Sequence, residues 1–379
     1  MSQSARPIKL LLGGDVSPQG TDVALFSAGA AENLVGVDLL GHFRAADLTV
    51  VNLETVLTDH PAPINKSGRC LKAPENTVQL LSALGIDAVN LANNHVLDHG
   101  EAGLMRTLAV LDQARISHWG AGPDAAIAAQ PFVRECKGHR IGIIGCCEHE
   151  FSVCRQGATA NGVDLIQLVP LLESLREQCE LLIVLYHGGK EYYPLPSPDQ
   201  QRLCRFLIER GADAVVCQHT HIVGAVESWR KGVIFYGQGN LLFRMQNPLA
   251  SEGFLLEFTL RGHCDWTWRQ IPFALAEHGV RALSSEVEQA WRQRQDEYRL
   301  QVADSATVVN RWENFCKRKT DIYLSALHGD GRYMGHVLRK MGLHRFIYRQ
   351  NAMALLRNLF SCEIHREVAR TILDQQLRK

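Results

Sequence analysis

The sequence has no CxxC pair, no long apolar run and no net charge, and each absence closes off a class of function. Its eleven cysteines are odd in number and scattered over 379 residues. Neither a disulfide framework nor a zinc ribbon is expected from that pattern, and reduced thiols fit it better. No stretch approaches the ~20 apolar residues that a membrane-spanning helix needs. The opening "MSQSARPIKLLLGGDV" offers only a short apolar run before "GGD", too short for the core of a signal peptide, which leads us to expect a cytoplasmic chain. Forty Lys and Arg balance forty Asp and Glu, which removes the whole-molecule field that would draw in nucleic acid.

What is present is a succession of short Val-, Ile- and Leu-rich runs, each closing on Gly, Asn, Asp or His. The runs at 8–15, 48–54, 88–94, 140–147, 181–187, 214–219, 233–240 and 253–260 read as strands. They are continuously apolar rather than alternating, as strands buried on both faces are. Helical patterns lie between several of them, at 74–85, 100–116 and 198–211. The reading is an α/β fold with layered sheets, and the helix-poor run 233–260 is expected to supply hairpins of a second sheet. From about residue 280 helical patterns take over. We therefore expect one domain over 1–278 and a helical extension over 279–379.

Two stretches echo each other: "GIDAVNLANNH" at 85–95 and "GADAVVCQHTH" at 211–221. Both drive a short apolar strand into a polar tip. In open α/β sheets ligands bind beyond the carboxyl ends of the strands, and the residues closing these strands are Asp15, Glu54, Asn94 with His95, His187, and His219 with His221. Any one of them has an ordinary structural explanation: an Asp after "GG" is commonly a turn residue, and a His after an apolar run is commonly half-buried and capped. Alternate positions of "HTH" would point the same way along a strand. Carboxylate, amide oxygen and imidazole together suit divalent Mn, Fe, Zn or Co, and the lack of thiolates argues against a structural zinc. The echoing strands are thus expected to aim their tips at one metal centre.

The ordered set "GGDVSPQG", "VNLETVLT", "LANNHVLDHG", "GAG", "YHGGKEYYPLPSPDQ", "GADAVVCQHTHIVGAVE" and "VIFYGQGNLLF" resembles the successive signatures of the CapA-type poly-γ-glutamate and capsule synthesis proteins, over about residues 8 to 245. The resemblance implies a calcineurin-like metallophosphoesterase fold, a four-layer sandwich of two β-sheets flanked by helices, with two divalent ions at the sheet edge. Carried over, Asp15 and His221 would hold one ion, and Asn94, His187 and His219 the other. Glu54 would bridge them, where most metallophosphoesterases use Asp. His95 would face the substrate as the catalytic acid, in an in-line attack on phosphorus by metal-activated water. Two positions depart from the pattern. Ser17 stands where the superfamily has a metal-binding His, and Gly188 where members of the family commonly have Trp.

Other residues are candidates to complete the pocket: Lys72 in "CLKAP", Lys190, Glu191 and Tyr192 after His187, and Asn240 in "GQGN". Cys146 and Cys147 close a strand at the same edge and read as small buried apolar residues. Gly331 to Lys379 holds ten Lys and Arg against three Asp and Glu. Two readings of that stretch stay open, peripheral contact with an anionic membrane or acidic partner, and the solvated face of packed helices. The favoured function is a metal-dependent phosphoesterase acting on a phosphorylated or polyanionic small molecule or polymer of cell-surface synthesis. The alternative is a non-hydrolytic component of the same machinery that binds an anionic polymer or a partner.

Overall fold

The computed structural model describes residues 7–262 and 265–326, with isolated positions beyond. The chain forms two compact units, Met1–Val309 and Asn310–Lys379. Most of the basic stretch from 331 onward lies outside the described residues.

The larger unit is built on two sheets. In the eight-stranded sheet Ile8–Ser17 is central, with Leu48–Leu53, Ala88–Asn90 and Ser117–Trp119 following in parallel on one side. On its other side Glu252–Gly262, Asp265–Leu275 and Val280–Ala282 run as an antiparallel meander, and Asn240–Phe243 pairs with the far end of Ile8–Ser17. The six-stranded sheet has a parallel centre of His139–Cys147, Leu181–His187, Ala214–Gln218 and Gly232–Phe235. Its two edges, Phe132–Cys136 and Val226–Trp229, are antiparallel.

The continuous apolar runs explain the layering. In Ile8–Ser17, Leu10 and Leu12 belong to one buried cluster and Leu11 to another, and Val50 and Val51 divide the same way. The first cluster joins Ile141, Ile143, Ile183, Leu185 and Val216 of the second sheet, so the sheets pack face to face. The other joins Phe26, Leu39, Phe43, Leu104 and Leu111 of helices on the outer face. Across the molecule, Leu168, Leu172, Cys204 and Leu207 of helices Leu165–Arg176 and Pro198–Glu209 are buried, and these helices contact Leu181–His187 and Ala214–Gln218 respectively. The result is helix, sheet, sheet, helix. Each side chain so buried contributes about 1.5–3 kcal/mol, which is why strands with apolar residues on both faces end up in the middle.

The sequence echo is a structural repeat, one copy in each sheet. Gly85 (φ +69°) and Gly211 (φ +119°) adopt positive φ, conformations that L side chains rarely take, at the exit of a helix. Two residues on, the Asp87 carboxylate accepts from Thr49 N at 2.7 Å and the Asp213 carboxylate from Leu182 N at 2.8 Å. Each aspartate thereby pins its strand in register with a parallel neighbour, so that both strands reach the same edge.

Three details differ from the sequence expectation. The run 233–240 is not one strand: Gly232–Phe235 ends in the six-stranded sheet and Asn240–Phe243 begins in the other. The chain crosses between layers there rather than forming a hairpin. The strand expected at 88–94 stops at Asn90. The helical change near 279 does not coincide with the boundary between compact units: Val280–Ala282 pairs with Asp265–Leu275, and Trp291 of helix Ser285–Ala303 is buried in the inter-sheet cluster.

Candidate metal centre

The strands stop, and the polar residues begin, along one edge. Asp15 sits in the last turn of pleat of Ile8–Ser17, Glu54 directly follows Leu48–Leu53, and Asn94 and His95 lie just past Ala88–Asn90. His187 is the last residue of Leu181–His187, and His219 and His221 follow Ala214–Gln218. Asp15, Glu54, Asn94, His187, His219 and His221 are all buried. Because the strand ends at Gln218, alternation does not bring the two histidines together. Both take positive φ, +85° at His219 and +59° at His221, backbone strain of about 1–3 kcal/mol per residue of the sort found at functional sites. The turn aims them at different neighbours.

Glu54, His187 and His219 offer ligand atoms within 4.8 Å of one another, and so do Asp15, Glu54 and His221. Glu54 is shared. Asn94 joins the first trio, its Oδ1 lying 3.1 Å from His187 Nε2, which in turn is 3.5 Å from Glu54 Oε1. Both Glu54 carboxyl oxygens and His219 Nδ1 are buried with no hydrogen-bond partner among the described residues. A buried carboxylate without a partner is costly unless a cation faces it. Two carboxylates, three imidazoles and an amide oxygen are a donor set for a divalent ion such as Mn, Fe, Zn or Co. The residues fit two ions, with Asp15 and His221 on one side, Asn94, His187 and His219 on the other, and Glu54 between.

The electrostatics agree with that fit. Burial, and after it the neighbouring Asp15 carboxylate, push Glu54 well above the usual carboxylate range. Burial, then the imidazoles of His187 and His221, hold His219 well below the ordinary value, and burial lowers His187 too. Neutral imidazole is the form that ligates a metal. A cation between these groups would favour the ionised Glu54 that burial resists.

Behind the ligands lies a set of buried amides absent from the sequence expectation. Asn52 Nδ2 donates to Asp15 Oδ1 at 2.7 Å and lies 3.2 Å from His187 Nδ1. Asn52 Oδ1 accepts from the amides of Asn90 and Asn93, each at 3.3 Å. One side chain thus braces a ligand from each side of the centre, which is how outer partners orient metal-binding groups. His95 faces the centre differently. Its Nε2 is 3.8 Å from Glu54 Oε1, and its Nδ1 is 2.6 Å from Asp98 Oδ2. Asp98 also accepts from Leu71 N at 2.6 Å and pairs with the buried Lys66 ammonium.

A cavity of about 920 Å³ opens over this edge, and Asn94, His95, His221, Glu191 and Tyr192 line it. Lys66, Arg69 and Arg244 line it together with the carboxylates of Glu150 and Glu191. Lys72 does not line it. That side chain is exposed on the short strand Lys72–Ala73, so the loop after Glu54 sends a lysine to the site six residues earlier than expected. Asn240 does not line the cavity either: it is buried, its Oδ1 3.0 Å from His221 Nδ1. Ser17 is buried, with Gln19 Nε2 donating to its hydroxyl at 3.3 Å. Gly188 has no room for a side chain, since a Cβ there would lie 2.6 Å from Glu148 Cγ and from the Tyr186 ring. Cys146 and Cys147 are buried, and burial pushes the Cys146 thiol up to about 12, which favours the unreactive thiol over the thiolate.

The six ligand candidates are legible in the sequence because each closes an apolar run. Asn52, Lys66 and Asp98 lacked such a signal: Asn52 sits inside its strand, and the other two lie in loops.

Comparison with known proteins places these observations in a family. The "Capsule biosynthesis protein CapA" of Bacillus anthracis is 25% identical over 222 residues, which are 57% of this chain and 54% of that protein. The "PGA biosynthesis protein CapA" of Bacillus subtilis is 25% identical over 224 residues, 58% of this chain and 59% of that protein. The chain therefore spans little more than half the length of the curated relatives it matches. Among solved structures, the calcineurin-like phosphoesterase YfkN of Bacillus subtilis aligns at a TM-score of 0.43 and 10% identity, over 77% of this chain and 98% of that one. Residues 9–245, a stretch that holds every ligand candidate from Asp15 to His221, match the family described as bacterial capsule synthesis protein PGA_cap, and the chain belongs to that family.

Proposed function

We propose that the chain is a metal-dependent hydrolase of phosphoric esters that acts in the synthesis of a cell-surface polymer, a capsule, an exopolysaccharide or poly-γ-glutamate. The observation that carries this reading is the Glu54 carboxylate, buried without a hydrogen-bond partner and shared by two trios of ligand atoms. Two divalent ions, when bound, would polarise the phosphoryl oxygens and activate water for attack. The side chains do the rest. Arg69 and Arg244 are the guanidinium groups the cavity offers an anionic substrate, beside the carboxylates of Glu150 and Glu191, while Lys66 is paired with Asp98. His95, mostly buried but lining the cavity, turns Nε2 toward the centre and can give a proton to the leaving alkoxide. Asp98 holds its other nitrogen, fixing the ring. The burial of the ligand set keeps bulk water from competing.

Ser17 favours a second reading, in which the protein binds a polyanion or partner without hydrolysis. The Asp15 side has three protein donors where the other has four, so one ion is the more weakly held. The two readings separate on turnover of bis-p-nitrophenyl phosphate by Mn²⁺-loaded protein. Hydrolysis that His219→Ala abolishes, and that His95→Ala reduces by about 10²–10⁴-fold, supports the hydrolase. No turnover with any divalent metal would shift the assignment to the binding role.

A further inference from the structure

We propose that Glu150 is a positioning residue of the metal centre, deciding which end of the Asn94 amide faces the ligand cluster; the inference rests on the metal-centre reading above. An asparagine amide is nearly symmetric in shape, so packing alone does not choose between its oxygen and its nitrogen. Only the oxygen can ligate a cation. Asn94 presents Oδ1 to the cluster, 3.1 Å from His187 Nε2, and donates from Nδ2 to Glu150 Oε2 at 2.7 Å. An ionised carboxylate accepts hydrogen bonds and cannot donate them. Glu150 therefore holds the NH₂ end outward through a charge-assisted bond and leaves the oxygen inward.

The loop that delivers Glu150 is braced against the centre itself. Glu148 N donates to His187 O at 3.0 Å, and Glu150 N donates to Glu148 O at 2.9 Å. The Glu148 carboxylate is held in turn by the Tyr186 hydroxyl at 3.0 Å and Gly189 N at 2.9 Å. The bare Cα of Gly188 is what leaves Glu148 its place. Glu150 thus rides on the tip of the strand that carries His187, the partner of Asn94. Glu150 lies at the mouth of the cavity and is itself exposed, so its substitution disturbs no packed core.

The experiment is calorimetric titration of Mn²⁺ into chelator-stripped full-length protein, with thermal unfolding of the metal-free samples alongside as the check on folding. Wild type is expected to take up two ions. In Glu150→Ala one of the two should weaken by roughly 10–100-fold, the effect of removing an outer-shell partner, with the other unchanged. Glu150→Gln keeps an acceptor oxygen for Asn94 Nδ2 but can equally turn its NH₂ toward Asn94, so it should fall between wild type and Ala. Glu150→Lys offers only donors, turns the Asn94 oxygen outward, and should weaken that ion at least as much as Ala. Wild-type affinity for both ions in Glu150→Ala would overturn the proposal, as would a Lys variant that binds the affected ion more tightly than Ala, since a donor-only group would then leave the Asn94 oxygen inward. Wild-type protein that takes up no ion would overturn the metal-centre reading itself, and the role of Glu150 with it.

Discussion

Glu54 concentrates the physics of this molecule in one carboxyl group. Burial and the adjacent Asp15 push its pKa well above 4.5, whereas burial and two neighbouring imidazoles push His219 well below 6.5. The two shifts act on stability in opposite senses. A raised acid contributes stability that is whole below its unfolded value and is lost as pH rises through its folded one. A depressed histidine contributes stability present above its unfolded value and lost as pH falls through its folded one. Replacing Glu54 by Gln isolates the first. In chelator, wild type should lose stability relative to Glu54→Gln as pH rises above 4.5, by at most ~1.4 kcal/mol per pH unit, the limit for one proton. Urea midpoints of both proteins from pH 5 to 8 measure this. A constant difference across that range would mean that Glu54 ionises freely in the metal-free site.

At the scale of elements, the helix Ser285–Ala303 is the instructive case. Trp291 on this helix is buried between the sheets, its ring 6.2 Å from that of Phe254. Trp291→Ala should therefore cost about 3–5 kcal/mol of global stability, the usual range for emptying a large aromatic site in a core. A loss under about 1 kcal/mol in chemical unfolding would show this helix to be an appendage. The sequence places a helix here but not its membership in the core, because one tryptophan among Glu, Arg and Gln sets no apolar stripe. The parallel strands are legible for the opposite reason: burial on both faces turns Leu181–His187 and Ala214–Gln218 into uninterrupted apolar runs. The passage from Gly232–Phe235 to Asn240–Phe243 is not legible, because both halves are buried and a change of sheet leaves no mark on hydrophobicity. The same rule governs the site. His187 and Glu54 stand out where apolar runs end, whereas Lys66 and Glu150 come from loops, and only the folded backbone shows which loop lysine turns inward and that Lys72 turns out.

For the molecule as a whole, the centre is drawn from both sheets. Asp15, Glu54 and Asn94 come from the eight-stranded sheet, and His187, His219 and His221 from the six-stranded one. Ions held there would tie the two halves of the sandwich at the edge where the apolar layer between them ends. The unfolded chain scatters these residues over two hundred positions and cannot reproduce the arrangement, so binding is specific to the folded state. At Mn²⁺ concentrations about 100-fold above the dissociation constant, one such ion adds ~2.7 kcal/mol to unfolding, an upward Tm shift of roughly 4 °C for a unit the size of Met1–Val309. The shift should grow with the logarithm of metal concentration and vanish in chelator. His219→Ala and Asp15→Ala should each reduce it, one from either sheet, because Glu54 cannot hold an ion on its own. A Tm indifferent to Mn²⁺, Fe²⁺, Zn²⁺ and Co²⁺ would mean that the orphaned oxygens of Glu54 are satisfied by water and a proton, and that the two sheets are held by their apolar faces alone.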